Sequence, residues 1–276
     1  MAIAADEPFM RMALKEARRG LGKVSPNPAV GALLVQGDLV LARGHHRASG
    51  LPHAEIECLA AAPAVSLRSA TLYVTLEPCS TTGRTPPCTE AIVRAGVGRV
   101  VIGATDPNPL HGGRGIRELS AAGIEVASGV LATECNRLNA AFNKWIVTKQ
   151  PFVIAKCGMS LDGRLTRSPG EEHWLTRPAA RRHAMQLRAK VDAILIGAET
   201  ARQDNPRLTT RGIRGTRQPW RVVLSRSGDL PPEAHLFVDR FAERTLVYRG
   251  KSLKKVLSDL GRREITSVLI EGGGEI

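Results

Sequence analysis

Three short stretches carry the residue types that could do chemistry: His53-Ala54-Glu55, then Glu77-Pro78-Cys79, then Cys88 after eight intervening residues. One imidazole and two thiolates, from His53, Cys79 and Cys88, fill three corners of a zinc tetrahedron and leave the fourth for water, the arrangement of a catalytic rather than a structural zinc. Glu55, two residues beyond His53, is not needed as a ligand. It is free to take a proton from water and pass it to a departing amine, which is the chemistry of hydrolytic deamination. Any one of these residues taken alone is more often packed or solvated than functional. The combination of H-x-E, P-C and a second cysteine is the pattern of the zinc nucleobase deaminases, with a longer stretch between the cysteines. Cys58, Cys135 and Cys157 have no such partners, and Cys58 falls on an apolar helix face and is expected in the core.

The elements that must position these residues follow from periodicity. Residues 8–19 read as a helix ended by Gly20 and Gly22, and residues 30–35 and 39–43 as a hairpin turning at Gly37-Asp38. A rhythm of helix and strand follows: helices near 53–62, 89–95 and 114–122, and strands at 71–76, 99–103 and 124–127. Strands separated by helices of this length read as parallel βαβ units in a sheet covered on both faces. In this arrangement Cys79 lies just after a strand and just before a helix, whose N-terminus would favour thiolate. Residues 144–151 read as the tail of a helix and a linker. Beyond them comes a second α/β unit, with strands at 152–157, 193–197, 221–225, 245–248 and 267–270 and helices near 178–189 and 252–260. The expected domains are 1–146 and 147–276.

With 276 residues, 43% of them hydrophobic, the chain is long enough for two packed cores. Five cysteines and an N-terminus carrying Asp6, Glu7 and Glu16 argue against a disulfide framework or a secretory signal, so a cytoplasmic protein with reduced thiols is expected. No apolar run approaches a membrane span. The formal net charge of +13 suits anionic partners such as phosphates or nucleic acid.

Pro26-Asn27-Pro28 with Val30-Gly31, the His53 and Cys79 motifs, and Gly83-Arg84-Thr85-Pro86-Pro87-Cys88 together resemble the bifunctional riboflavin-biosynthesis deaminase/reductase family. The resemblance continues through Asp106-Pro107-Asn108-Pro109, Lys156 with Ser160-Leu161-Asp162-Gly163, Gly197 with Thr200, Asp204-Asn205-Pro206-Arg207-Leu208-Thr209 and Glu271-Gly272-Gly273, so that it covers essentially the whole chain. It implies an α/β protein in which a cytidine-deaminase-like three-layer domain precedes a dihydrofolate-reductase-like domain. The first would deaminate a diamino-pyrimidinone ribosylamine 5′-phosphate with zinc, and the second would use NADPH to reduce the ribosyl group to ribityl. In the first domain the resemblance assigns Asn27 to the pyrimidine and places His46 and Arg84 along the substrate site. In the second it assigns Arg188, Leu208, Arg211 and Glu271 to the substrate, and Gly158, Trp174, Thr200, Asp204, Ser225 and Gly273 to NADPH.

Ordinary readings compete at each position. Asn27 could be a turn residue, Trp174 core, Arg188 a solvated helix charge and Thr200 a cap. Two departures bear on binding: Thr81 stands where the family usually has histidine, and Glu172 where it often has serine. The resemblance also leads one to expect a further helix and several strands after Ile276, hence an incomplete reductase half that holds NADPH poorly despite Lys156, Asp204 and Glu271. The expected partners are a phosphorylated small molecule and a possible second copy of the chain, with no nucleic acid and no membrane. A tRNA-type deaminase and a non-catalytic scaffold on a deaminase fold are the alternatives. Salt-dependent RNA retention would mark the first and bound zinc without turnover the second. Only ten aromatic residues, five Phe, three Trp and two Tyr, are available as a platform for bases.

Overall fold

The structure, a computed structural model, describes residues 2–82, 86–161, 163, 176–213, 215 and 217–271. The chain forms two compact units, 1–148 and 149–276, each built on its own sheet. The sequence places the division slightly earlier, inside a helix that in fact runs to Thr148. The break comes where Lys149 enters the left-handed region ahead of Gln150-Pro151.

The first unit runs α1 (Ala2–Ala17), β1 (Gly31–Gln36), β2 (Leu39–His45), α2 (Ala54–Ala60), β3 (Ala70–Leu76), α3 (Cys88–Ala95), β4 (Arg99–Ala104), α4 (Arg114–Ala121), β5 (Glu125–Ser128), α5 (Ala132–Leu138) and α6 (Ala140–Thr148). Its strands lie in the order β2-β1-β3-β4-β5. The hairpin partners β1 and β2 are antiparallel, β1 and β3 likewise, whereas β3, β4 and β5 are parallel. Continuous buried runs in β1, β3 and β4 are what a sheet covered on both faces requires. Two glycines set how closely the helices approach. A Cβ at Gly31 would collide with the α1 backbone at Ala13 and Ala17, and one at Gly44 with the α2 backbone at Ala54 and Cys58. Gly31 pairs with His45 and Ala32 with Gly44, so the two glycines face opposite sides of the sheet and α2 is pressed onto the side away from α1.

Helix α1 begins six residues before the expected start and runs through Pro8, which removes one helical hydrogen bond. Tertiary contacts offset this. The buried Asp6 carboxylate accepts hydrogen bonds from Tyr73 Oη at 2.9 Å and from both terminal nitrogens of Arg99 at 2.7 and 2.9 Å. Helices α5 and α6, which periodicity largely misses, are short, and Cys135 of α5 packs into the core against Gly103.

The second unit runs β6 (Phe152–Ala155), α7 (Pro178–Arg188), β7 (Ala193–Gly197), α8 (Ala198–Asp204), β8 (Trp220–Ser225), α9 (His235–Val238), β9 (Thr245–Arg249), α10 (Leu253–Arg262) and β10 (Ser267–Ile270). Its sheet, in the order β6-β10-β7-β8-β9, is parallel throughout. Alternate residues feed two cores. Ile194, Ile196, Val223 and Leu269 pack with Leu208 and Leu236, while Ala193, Leu195, Val222 and Val268 pack with Val256 and Leu260 of α10. Arg221 of β8 is fully buried, yet its guanidinium is satisfied by Asp239 at 2.8 Å, Leu236 O at 2.8 Å, Thr245 Oγ1 at 3.0 Å and Arg207 O at 3.3 Å. The short α8 and α9 escape sequence reading because neither is long enough to show a helical period.

Hydrogen bonds from Arg99 hold the Asp6 carboxyl below the usual carboxylate range against the opposing effect of burial. The unfolded chain therefore takes up the proton first. The stabilisation is present above the ordinary aspartate value of about 3.9 and is lost as pH falls through the lower folded-state value. Asp6→Asn is expected to cost about 2 kcal/mol at neutral pH. Denaturant titrations at pH 7 and pH 3 should show the gap to the unsubstituted protein closing in acid; a gap independent of pH would mean that packing rather than charge is responsible.

Candidate metal centre and active site

Strand β3 delivers Glu77-Pro78-Cys79 from its C-terminal end, α2 begins directly after His53, and α3 begins at Cys88. Three segments far apart in sequence therefore converge. His53 Nδ1 lies 3.5 Å from Cys79 Sγ and 3.3 Å from Cys88 Sγ, and the three donor atoms all fall within 4.8 Å of one another. Zinc bonds of about 2.0 and 2.3 Å at the tetrahedral angle require nitrogen and sulfur roughly 3.6 Å apart, so the donor set fits that ion. Among the described residues no fourth histidine, cysteine or carboxylate joins the cluster. Cys58 is buried on α2 within the apolar core, as expected, and burial pushes its thiol up to about 12.

The helix after Cys79 falls where periodicity puts it, α3 opening at Cys88, one residue before the expected start, so that it does not directly abut Cys79. Even so, the first amide of α3 reaches the earlier sulfur: Cys88 N–H donates to Cys79 Sγ at 3.3 Å. A hydrogen bond from the Cys88 thiol, supported by His53 and this amide, lowers Cys79, while Cys88 is driven upward by sharing the site with Cys79 and by burial. Two thiols crowded beside a carboxylate cannot all ionise without a cation.

Glu55 is buried, and Oε2 has no hydrogen-bond partner among the described residues. Burial, with the Cys79 charge acting in the same direction, pushes its carboxyl up to about 7. A carboxyl titrating near neutrality beside a metal site can both take and return a proton. Ser80 Oγ, adjoining Cys79 in the chain, is a second buried oxygen without a partner among the described residues.

The structure brings Asn27 and His46 to the same place. His46 packs edge-on against the His53 ring with centroids 5.3 Å apart, Asn27 Nδ2 lies 3.1 Å from His46 Nε2, and His46 Nδ1 lies 3.0 Å from Pro52 O. His46 is buried with both nitrogens engaged, so it has none left for a ligand. Arg84 lies outside the described residues. Thr81 Oγ1 is 3.5 Å from Nδ1 of His111, a residue that sequence reading passed over although it lies two residues after the Asp106-Pro107-Asn108-Pro109 motif. Glu77 and Asn139 also have positioning parts that no local pattern signals. The Glu77 carboxylate accepts from the amides of Asp106 at 3.0 Å, Gly113 at 2.9 Å and Ile116 at 3.2 Å, tying the loop after β4 and the start of α4 to the metal strand. The Asn139 amide accepts from Ala29 N and donates to Ala29 O, clamping the segment that carries Asn27.

In the second unit, Arg188 donates to both oxygens of Glu271 at 2.7 and 2.8 Å and to Thr209 O at 3.3 Å, and Lys156 Nζ lies 3.5 Å from Glu271. Arg188 is thus no solvated helix charge. Burial opposes the Glu271 charge, but Arg188 and Lys156 hold its carboxyl below the usual range. Leu208 is 2% exposed, with its side chain in the core and φ +48°, so only its backbone can face a ligand. Arg211 is exposed and lines a groove of about 410 Å3 with Arg207, His235 and Arg240. Gly158 follows β6, Thr200 and Asp204 lie on α8 directly after β7, and Ser225 ends β8, where its hydroxyl accepts from Gly228 N at 2.8 Å. All of them lie after the carboxyl ends of parallel strands, where open α/β sheets bind ligands. Thr200 is within α8, whose N-cap is Gly197, so it is not a cap. Trp174 and Gly273 lie outside the described residues.

Comparison with known proteins decides the family. Residues 3–104 match the cytidine and deoxycytidylate deaminase zinc-binding region and residues 151–276 match the RibD C-terminal domain. The riboflavin biosynthesis protein RibD of Synechocystis is 46% identical over 268 residues, covering 97% of this chain and 72% of that protein. The chain belongs to the RibD family. RibD of Escherichia coli is 38% identical, with 97% of this chain and 82% of that protein covered. Among solved structures, Acinetobacter baumannii RibD superposes with a TM-score of 0.91 at 38% identity, covering 98% of this chain and 81% of that one. A deaminase/reductase from Thermotoga maritima superposes with a TM-score of 0.92 at 37% identity, covering 99% and 82%. Both halves of the RibD fold, deaminase-like and reductase-like, are present.

Because Glu77 satisfies three amides at once, Glu77→Ala should lower stability by roughly 2 to 3 kcal/mol. Zinc should be retained, since Glu77 is not among the three converging donors. Calorimetry and metal analysis of the purified variant check this; loss of metal would make Glu77 part of the zinc site.

Proposed function

We propose that this RibD-family chain performs two successive steps of riboflavin biosynthesis. The first is hydrolytic deamination of a diamino-pyrimidinone ribosylamine 5′-phosphate. The second is NADPH-dependent reduction of the ribosyl group to ribityl. The observation that carries the first step is the buried, unpartnered Glu55 Oε2 beside three zinc-type donors.

In this reading His53, Cys79 and Cys88 hold the zinc, which supplies Lewis-acid activation of a water molecule. Glu55 takes the proton of the attacking water and delivers it to the leaving amine, a task suited to a carboxyl whose burial brings it to about 7. Asn27 holds the pyrimidine edge, and Arg84 is assigned to the phosphate. In the second unit NADPH would supply the hydride, with Gly158, Thr200, Asp204, Ser225, Trp174 and Gly273 as its contacts. Hydroxyls and a carboxylate at the ends of parallel strands suit a nucleotide's ribose and phosphates. Arg188, Arg211, Glu271 and the Leu208 backbone are assigned to the sugar-phosphate substrate. The excess positive charge then serves two phosphorylated small molecules rather than a nucleic acid. No described helix is long and apolar enough to cross a membrane.

Offering the purified chain the pyrimidinone phosphate with and without NADPH, and following product masses, tests both steps. Deamination without NADPH and a further two-hydrogen gain with it are expected; no deamination by the zinc-loaded protein would refute the reading. Cys79→Ala should lose zinc and deamination together, as measured by metal content and turnover, and full metal retention would remove it from the ligand set. Glu55→Gln keeps the shape but cannot accept the proton, so turnover should fall roughly 100-fold or more with zinc content unchanged.

A further inference from the structure

We propose that the open edge of the first unit's sheet is a docking groove for another protein, one that presents an extended segment in which acidic and small apolar residues alternate. The segment adds itself to β2 as a further strand. None of the residues lining the groove belongs to the metal cluster, so the inference stands apart from the deaminase reading.

Strand β2 is the end strand of its sheet and pairs with β1 alone. In an antiparallel pair, successive residues turn their N–H and C=O alternately toward the partner strand and away from it. His46 N–H donates to Val30 O at 3.0 Å, and in the same register His45 stands opposite Gly31 and Gly44 opposite Ala32. His46 and Gly44 therefore bond inward to β1. The amides and carbonyls of Arg43 and His45 point out from the sheet, and none of these four groups has a hydrogen bond among the described residues. Arg43, Gly44 and His45 line a groove of about 520 Å3 that opens on this edge.

The two walls of the groove differ. A Cβ on Gly31 would strike α1 and one on Gly44 would strike α2, so Arg43 and His45, which share the Gly31 face, lie on the α1 side of the sheet. That wall also carries Arg19, Lys23 and the buried Glu16. Glu16 accepts from Arg19 at 2.8 Å and lies 3.8 Å from Arg43, while Lys23 Nζ has no ion-pair partner among the described residues. Three positive charges thus face one carboxylate. The other wall is close to neutral: Arg47 is paired with Glu57 at 2.7 Å, and Ala60 and Ala61 complete it. Side chains of an added strand alternate between the two walls. Acidic ones meet the cations and small apolar ones meet the alanines. A phosphate chain would set oxygens against the outward carbonyls, whereas a peptide brings an N–H to each carbonyl and a C=O to each amide. The same cations repel a second copy of β2, whose own edge carries Arg43, so the groove selects an acidic partner over self-pairing.

The full chain and a fluorescein-labelled peptide, Glu-Val-Glu-Val-Glu-Val, test this. At low ionic strength the anisotropy should rise saturably to one peptide per chain, and the Lys-Val counterpart should not bind; equal binding of both peptides, or of neither, would overturn the proposal. On saturation, hydrogen exchange resolved by residue should slow by about tenfold or more at the Arg43 and His45 amides, with Gly44 unchanged. Unaltered exchange at both would mean attraction without strand addition and would overturn it. Of two peptides N-methylated on alternate residues, the glutamates or the valines, one should bind roughly tenfold more weakly than the other, because only one set of N–H groups faces the edge. Equal affinities would count against strand addition. Lys23→Glu, at an exposed side chain with no ion pair to lose, should keep the fold and weaken binding roughly fivefold; unchanged affinity would overturn the role given to the charged wall. Polyphosphate or oligouridylate that displaces the peptide yet protects neither amide would make the groove a polyanion site. Self-association of the chain that protects both amides without peptide would give the edge to a second copy. Either result overturns the proposal.

Discussion

A buried carboxylate, two thiols and an imidazole held within reach of one another repel or compete for protons unless a cation sits among them, and the first unit is organised around that constraint. Glu55 rises toward neutrality because water is excluded from it, and Cys79 and Cys88 share what is effectively one negative charge. A divalent ion held by His53, Cys79 and Cys88 would remove the conflict by taking both sulfurs as thiolates. The rest of the fold holds these side chains in that geometry.

That support comes from close packing and from polar tethers with no leeway. Gly44 lets α2 settle directly onto β2, which fixes where His53 and Glu55 begin. Glu77, one strand-end residue before Pro78-Cys79, gathers three amides from the loop after β4 and the start of α4. Asn139 grips Ala29 from across the chain. Each is a buried polar group with its bonds made, which restricts the backbone more sharply than apolar contact does, because a shifted partner leaves a desolvated donor or acceptor behind.

The second unit solves a different problem with similar means. Its parallel sheet gathers the ends of β6, β7, β8 and β10 on one edge, and two arginines hold the 207–209 segment near that edge. Arg221 is completely buried and binds Arg207 O, and Arg188 binds Thr209 O while forking onto Glu271. A guanidinium suits this work because its fixed fork can satisfy several acceptors at once without losing its charge.

Sequence by itself determined the candidate metal donors, the adjacent carboxylate and the order of helices and strands around them. These are local features: H-x-E fits at the start of a helix, P-C at the end of a strand, and apolar period reports burial. Tertiary structure alone decided that the first amide of α3 reaches back to Cys79 Sγ, that Arg188 pairs with Glu271 instead of facing water, that the Leu208 side chain belongs to the core, and that His46 is occupied at both nitrogens. It also decided the parts taken by Glu77, Asn139 and His111. The reason is physical. A hydrogen bond between residues such as Ala29 and Asn139 leaves no periodic trace in the chain, because its geometry exists only once the layers have packed.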